Sequence, residues 1–212
     1  MTRYDESTPE LWQVPLRDTI VPDTVVTAPG AGYLVPSEYA TLVASWLDAH
    51  GVAYRRLAQA LEVDAQVFRA DEARFAPDSV EGHQRVSLEG AWAPSREVLG
   101  AGALFVPVAQ PLARLAIHIL EPQAADSMAA WGLFNNAFER KEYMEAYVAE
   151  EVARDMLAKD PALKARFEQK LANEPDFAAN PRARLDFFYR LHPAWDSGYM
   201  RYPVLRVDTP PQ

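Results

Sequence analysis

An α/β fold built on a small, mainly parallel sheet is what the sequence predicts, and three observations carry that expectation. Between residues 33 and 57 a short apolar run, an amphipathic stretch and a second apolar run succeed one another, the pattern of a β-α-β unit. A strand-like run followed by a helix-like stretch returns between residues 103 and 122. Hydrophobic residues make up 49% of the 212, enough to bury a core.

Residues 1–29 read as an extended N-terminal arm. Pro9, Pro15, Pro22 and Pro29 forbid a helix there and suit an edge strand or a linker. "WQVPL" and "TVVTA" can each supply a short edge strand, with a linker as the plainer reading. The opening "MTRYDESTPELWQVP" is polar and acidic, where a signal peptide needs a basic start and an apolar run. No apolar stretch approaches the roughly 20 residues of a membrane helix. The expectation is a cytosolic chain or one cut from something longer.

Residues 30–122 form the predicted α/β domain. Tyr33, Leu34 and Val35 make a strand ended by Pro36. Ser37 is a good helix N-cap, with Glu38 in the first turn near the positive end of the dipole. Leu42, Val43, Trp46 and Leu47 recur at helical spacing, and His50-Gly51 gives a stop. "VAYRRL" is the next strand, expected to lie parallel to the first. "AQVFRADEARF" and "HQRVSLEGAW" read as the arms of an inserted antiparallel hairpin. "ALFVPVAQ" is a buried strand, and "PLARLAIHILEP" a helix with Pro111 in its first turn.

Residues 123–212 read as a helical segment packing on that domain. A helix through "MAAWGLFNNAF" can be capped by Asp126 or Ser127 and is weakened by Gly132. "ERKEYMEAYVAEEVARDMLAKD" is the clearest helix, with Tyr143, Tyr147, Met156 and Leu157 near one face. "PALKARFEQKLAN" and "PRARLDFFYRLHP" each start at a proline, and "YPVLRV" closes the chain as a strand.

A net charge of −9 argues against nucleic acid and anionic membranes as partners. The absence of cysteine removes disulfides, thiolate metal sites and a cysteine nucleophile. No Gly-x-Ser-x-Gly elbow, phosphate loop or dinucleotide fingerprint is present. Glu139, Glu142 and Glu145 lack the Glu-x-x-His partners of a bundle metal site and read as a solvated face. Asn135 and Asn136 in "FNNAF" read as hydrogen-bonding cap residues.

The one pattern with metal-ligand spacing is His118-Ile-Leu-Glu121, since residues i and i+3 share a helix face. Catalytic zinc needs three protein ligands, an open position and a nearby base. A third ligand would have to be His50, His83 or His192, and none has a partner at ligand spacing. Leu112, Leu115, Ile119 and Leu120 account for the buried stripe of this helix, leaving His118 beside it and Glu121 at its end. No metal site is therefore expected, and an independent zinc hydrolase using His118, Glu121 and His192 stands as the alternative.

The stretches "GYLVPSEYATLVASWLDAHGV", "FRADEARFAPDSVEGHQRVSLEG", "GALFVPVAQPLARLAIHILEPQAADSMAAWGLFNNAFERKEYMEAYVAE" and "FFYRLHPAWD" together resemble the region that follows the catalytic domain in large bacterial zinc carboxypeptidases of the carboxypeptidase A-like metallopeptidase family. The resemblance runs from about residue 3 to the end. It implies that the zinc ligands and catalytic glutamate belong to a preceding domain not present here, and that the spacing of His118 and Glu121 is coincidental. It also implies a reduced glutamine amidotransferase-like βα layout without the nucleophilic cysteine, and a periplasmic or secreted setting.

The resulting expectation is a non-catalytic accessory domain, inactive alone and holding no cofactor. It packs on a peptidase catalytic domain, of the same or a separate chain, and closes its cleft or binds peptide substrate or a partner. A stand-alone interaction module unrelated to peptidases is the third reading. An accessory role predicts an exposed apolar patch around Trp12, Trp195 and Tyr199. In a parallel sheet a ligand would sit beyond the strand ends, at Ser37 and Gln110, where helix N-termini favour a peptide carboxylate. The plainer reading is that Ser37 only caps and Gln110 only closes a turn.

Overall fold

The computed structural model describes residues 3, 5, 7–22 and 25–211. Parts of the predicted arm, and Thr24 of "TVVTA", lie outside these. Six strands form one sheet: β1 (Gly32–Val35), β2 (Arg55–Arg56), β3 (Leu61–Phe75), β4 (Val86–Leu99), β5 (Leu104–Pro107) and β6 (Leu205–Val207). Their order is β2-β5-β1-β6-β3-β4. The helices are α1 (Ser37–His50), α2 (Ala113–Leu120), α3 (Ala146–Lys159), α4 (Pro161–Asn173), α5 (Pro175–Ala179) and α6 (Pro181–Tyr189).

The fold is α/β, but the sheet is antiparallel rather than mainly parallel. Every pairing is antiparallel: β1 with β5 and β6, β2 with β5, and β3 with β4 and β6. The β1-α1-β2 unit does exist. Because β1 and β2 both run opposite to β5, they point the same way, with β5 between them as in a split β-α-β motif. Local periodicity reports strands and helices but not which strand fills a slot. The β5 strand enters that slot only after the hairpin has left and returned.

At α1, Pro36 occupies the N-cap without a side-chain cap bond, and Ser37 is the first helical residue, a correction to the predicted cap. The predicted stop holds: Gly51 closes the helix at φ 68°, the left-handed conformation that glycine adopts without penalty. Ala40, Val43, Ala44 and Leu47 face the sheet.

The β3–β4 hairpin is long and contains one irregularity. Ala70 faces Gly90 and Glu72 faces Glu89, so Asp71 is an extra residue in β3. Phe68 and Ala70 point into the main core before this bulge; Ala73 and Phe75 pack on it afterwards. The bulge thus switches the parity of the strand, which is its geometric effect. On the opposite face Ala65 and Val67 join Leu34, Phe105 and Leu205 in a second cluster.

The segment after residue 122 divides between two cores. Met128, Phe134, Phe138 and Tyr202 belong to the main core, and β6 inserts between β1 and β3. The helices α3 to α6 gather a cluster of their own around Ala153, Leu163 and Phe188. In α3 the inward residues are Ala149 and Ala153, with Met156 and Leu157 against them. Tyr143 precedes the helix, which begins at Ala146, and Tyr147 stands in its first turn; both are exposed. The helix expected through residues 128–138 is a chain of turns ending in a 3-10 turn, Asn135–Ala137. Gly132 breaks it at φ 77°, against the Gln84 carbonyl, where a Cβ would sit 2.2 Å from the oxygen.

Candidate functional site

Four segments surround a cleft of about 450 Å³, a size that suits a small organic or peptidic ligand. The start of α1 brings Pro36, Glu38 and Tyr39; the end of β4 brings Glu97, Leu99 and Gly100. The 3-10 turn brings Asn136 and the segment after it Lys141, and the approach to β6 brings Asp196, Arg201 and Pro203.

The floor is clasped electrostatically. Arg201 Nη2 donates to Glu97 Oε2 at 2.5 Å, and Ser95 Oγ donates to the other oxygen. Burial pushes the Glu97 carboxyl up, but these hydrogen bonds and the Arg201 charge more than offset it, leaving it below the ordinary range. Asn136 Nδ2 donates to Tyr39 Oη at 3.1 Å. Beside it Met200 holds φ 61°, left-handed for a non-glycine residue. Its N–H donates to the Ala137 carbonyl and its carbonyl accepts from Ala70 N–H, fixing the approach to β6 from both sides. The lining contains carboxylates, an ammonium, a guanidinium and apolar walls, but no histidine or serine. These groups suit a charged, partly apolar ligand.

The two predicted binding residues are not brought together. Val35 faces Leu104 while Gly32 faces Pro107, so the carboxyl ends of β1 and β5 lie at opposite ends of the sheet. Ser37 lies between the cleft residues Pro36 and Glu38 but does not line the cleft; its Oγ sits 3.4 Å from Glu38 Oε2 and against Gly100. Gln110 lies at the far end. Its Oε1 accepts from Ala53 N–H at 2.8 Å, and its Nε2 donates to the carbonyls of Ala53 and Pro107. That amide is engaged in closing backbone.

His118 and Glu121 both border a depression that also includes Val26, Arg114 and Gln123, but they face different partners. His118 stands on the exposed side of α2. Glu121 follows the helix in extended backbone and is buried. Its Oε1 accepts from Tyr33 Oη at 2.6 Å and from Arg206 Nε at 2.8 Å, and its Oε2 accepts from Arg206 Nη2 at 2.5 Å. His192 Nδ1 accepts from Ala194 N–H. Among the described residues no group of three or more His, Asp or Glu is gathered that could hold a metal ion. The alternative zinc site of His118, Glu121 and His192 is therefore not assembled.

The expected aromatic patch is also divided. Trp12 is 77% exposed. Trp195 and Tyr199 are half-buried; Trp195 packs edge-on to Tyr189 and Tyr199 and under the guanidinium groups of Arg140 and Arg190. In the arm Leu11, Val14, Leu16 and Ile20 stand out in solvent beside Trp12, and Val98, Tyr143 and Tyr147 are exposed elsewhere.

Sequence reasoning missed Glu97, Lys141 and Arg201. Their types carry no local motif, and Glu97 and Arg201 are 104 residues apart. Asn136 was visible as a polar residue between aromatics, although its partner Tyr39 was not. Among the described residues no helix is long and apolar enough to cross a membrane. No protein-family model, curated protein or solved structure matches the chain.

Proposed function

We propose that the chain is a non-catalytic accessory domain of a zinc metallocarboxypeptidase, with hydrolysis and zinc belonging to a separate catalytic domain. The resemblance of four long stretches to the region after such a domain motivates this reading. The observation that carries it is a contrast in how side chains are used. Glu121 and Gln110, which have catalytic or binding potential, are bound internally, while a run of large apolar side chains in the arm stands in solvent. Exposed apolar side chains on this scale mark a surface that meets another protein. Within this reading the Tyr39–Lys141–Arg201 cleft is the place for a peptide substrate, with Lys141 offering its ammonium to the peptide carboxylate while Arg201 is held by Glu97.

The test combines turnover and association. The purified chain, supplied with zinc, is expected to release no amino acid from the C-terminus of a peptide. It is expected to bind a carboxypeptidase A-like catalytic domain in a titration followed by calorimetry. Peptide hydrolysis by the chain alone, or no association with the catalytic domain, refutes the proposal.

A further inference from the structure

The charges lining the cleft do not balance among themselves. Three carboxylates, Glu38, Glu97 and Asp196, face two cations, Lys141 and Arg201. Arg201 and Glu97 satisfy each other. Among the described residues, Glu38, Asp196 and Lys141 enter no ion pair. Two carboxylates and one ammonium therefore stand unmatched around a space of about 450 Å³. They come from separate walls: Glu38 from the first turn of α1, Asp196 from the approach to β6, and Lys141 from the segment after the 3-10 turn. Lys141 and Asp196 also border a smaller depression beside Trp195 that Glu38 does not reach, so those two are neighbours and Glu38 stands apart from them.

Scattered surface charges are solvated one by one and contribute little. These three share one concave space with apolar walls, where partial exclusion of water strengthens each electrostatic contact. Hydrogen-bonding capacity is left over as well. Glu38 Oε2 accepts only from Ser37 Oγ, at 3.4 Å, and Asp196 Oδ1 accepts from Gly198 N–H at 2.8 Å, leaving Oδ2. Tyr39 Oη accepts from Asn136 Nδ2 and donates to no described residue, so its O–H is left for a ligand oxygen. Leu99 and Pro203 supply apolar wall, along which an aliphatic stem can lie while its charged head stays at the wet rim.

We infer that the cleft selects a peptide ending in lysine or arginine, its terminal carboxylate at Lys141 and its side-chain cation at Glu38, with Asp196 accepting from an N–H of the same residue. This rests on the accessory reading above, in which the cleft takes a peptide substrate. A neutral terminal residue leaves Glu38 uncompensated, and an acidic one is repelled by it, so selection comes from a penalty as much as from a contact. The net charge of −9 on the chain draws a cationic ligand in and turns an acidic one away.

The full chain is titrated calorimetrically, at low ionic strength, with N-acetyl-Ala-Ala-Lys, its Leu and Glu counterparts, the C-terminal amide of the lysine peptide, and free lysine. The lysine peptide is expected to bind about fivefold or more tightly than the leucine peptide and than its own amide, with the glutamate peptide weakest. Glu38→Gln is expected to bring the lysine and leucine peptides within about twofold of each other. Glu150→Gln, which removes an exposed carboxylate outside the cleft, is expected to leave the preference intact. Equal affinities for the lysine and leucine peptides overturn the selectivity while the accessory reading stands. A preference that survives Glu38→Gln, or that Glu150→Gln abolishes equally, overturns its assignment to the cleft. Free lysine binding as tightly as the peptide assigns the cleft to a released amino acid and overturns the peptide assignment. No binding of any peptide overturns the inference, whereas association with the catalytic domain, measured separately, decides the accessory reading.

Discussion

Arg206 in β6 and Glu121 at the end of α2 form a two-bond ion pair inside the protein, with side chains only 8% and 2% exposed. Tyr33 of β1 donates to the same carboxylate, and the guanidinium carbon of Arg206 lies 4.2 Å from the Trp92 ring centroid. The cluster therefore joins two central strands, the hairpin and a helix end. Removing either partner strands a buried charge or a buried donor set. Arg206→Met or Glu121→Leu alone is expected to destabilise by about 3–5 kcal/mol, and the double substitution by less than either. Urea unfolding of the three variants checks this. Additive losses in the double variant would show that the charges do not compensate each other.

Tyr33 extends the same cluster to alkaline pH. Burial, then its hydrogen bond to Glu121 and that carboxylate's charge, push the Tyr33 phenol well up; burial and Glu121 do the same for Tyr202. A raised acid is protonated in the folded state while its unfolded counterpart, near pH 10, ionises. Stability is therefore complete below about pH 10 and falls above it, by about 1.4 kcal/mol per pH unit for each such group. Tyr33→Phe is expected to lower stability near neutral pH by about 1–3 kcal/mol and to halve the alkaline slope, Tyr202 supplying the remainder. Unfolding midpoints between pH 8 and roughly pH 11 measure both effects.

Glu97 gives the opposite sign at acid pH. Its lowered carboxyl makes a contribution that is present above the ordinary value of 4.5 and is lost as pH falls through its folded value. Glu97→Gln or Arg201→Gln is expected to reduce stability by about 1–2 kcal/mol at neutral pH, and Glu97→Gln to flatten the acid limb. Hydrogen exchange is expected to rise first in residues 196–203, the segment that the clasp fixes over β4. A faster exchange elsewhere with that segment unchanged would count against the clasp as its anchor.

Local chemistry was legible where a residue acts on its own neighbours. Asp160 caps α4 by accepting from the N–H groups of Ala162 and Leu163, and Asn180 caps α6 through Ala183; each helix has proline at its first position. Those prolines and Gly51 marked boundaries in the sequence for the reasons that fix them in space. The order of strands was not legible, because the slot between β1 and β2 is filled by a strand nearly 50 residues further on. Gly132 looked like a weak point in a helix and proved a break, since its position is decided by Gln84 on the hairpin turn. The expected ligand position at Ser37 and Gln110 named none of the residues that line the cleft. Glu97, Lys141 and Arg201 are brought there by contacts no window of sequence contains.

Asp71 offers a test of how the hairpin keeps its faces aligned. As the extra residue opposite Glu89, it lets Ala73 and Phe75 return to the core side already occupied by Phe68 and Ala70. Asp71 and Glu72 are both exposed. Deleting Asp71 leaves Glu72 alone opposite Glu89 and restores regular alternation, with Ala73 and Phe75 still inward. Deleting Val67 instead forces a slip that exchanges core and solvent faces along the strand. The Asp71 deletion is expected to change stability by less than about 1 kcal/mol while keeping the register of Phe68 with Trp92. The Val67 deletion is expected to cost about 3 kcal/mol or more, or to prevent folding. Thermal unfolding, with amide contacts between Phe68 and Trp92 followed by NMR, distinguishes them. Comparable losses in both variants would mean that the bulge holds something other than the alternation of this strand.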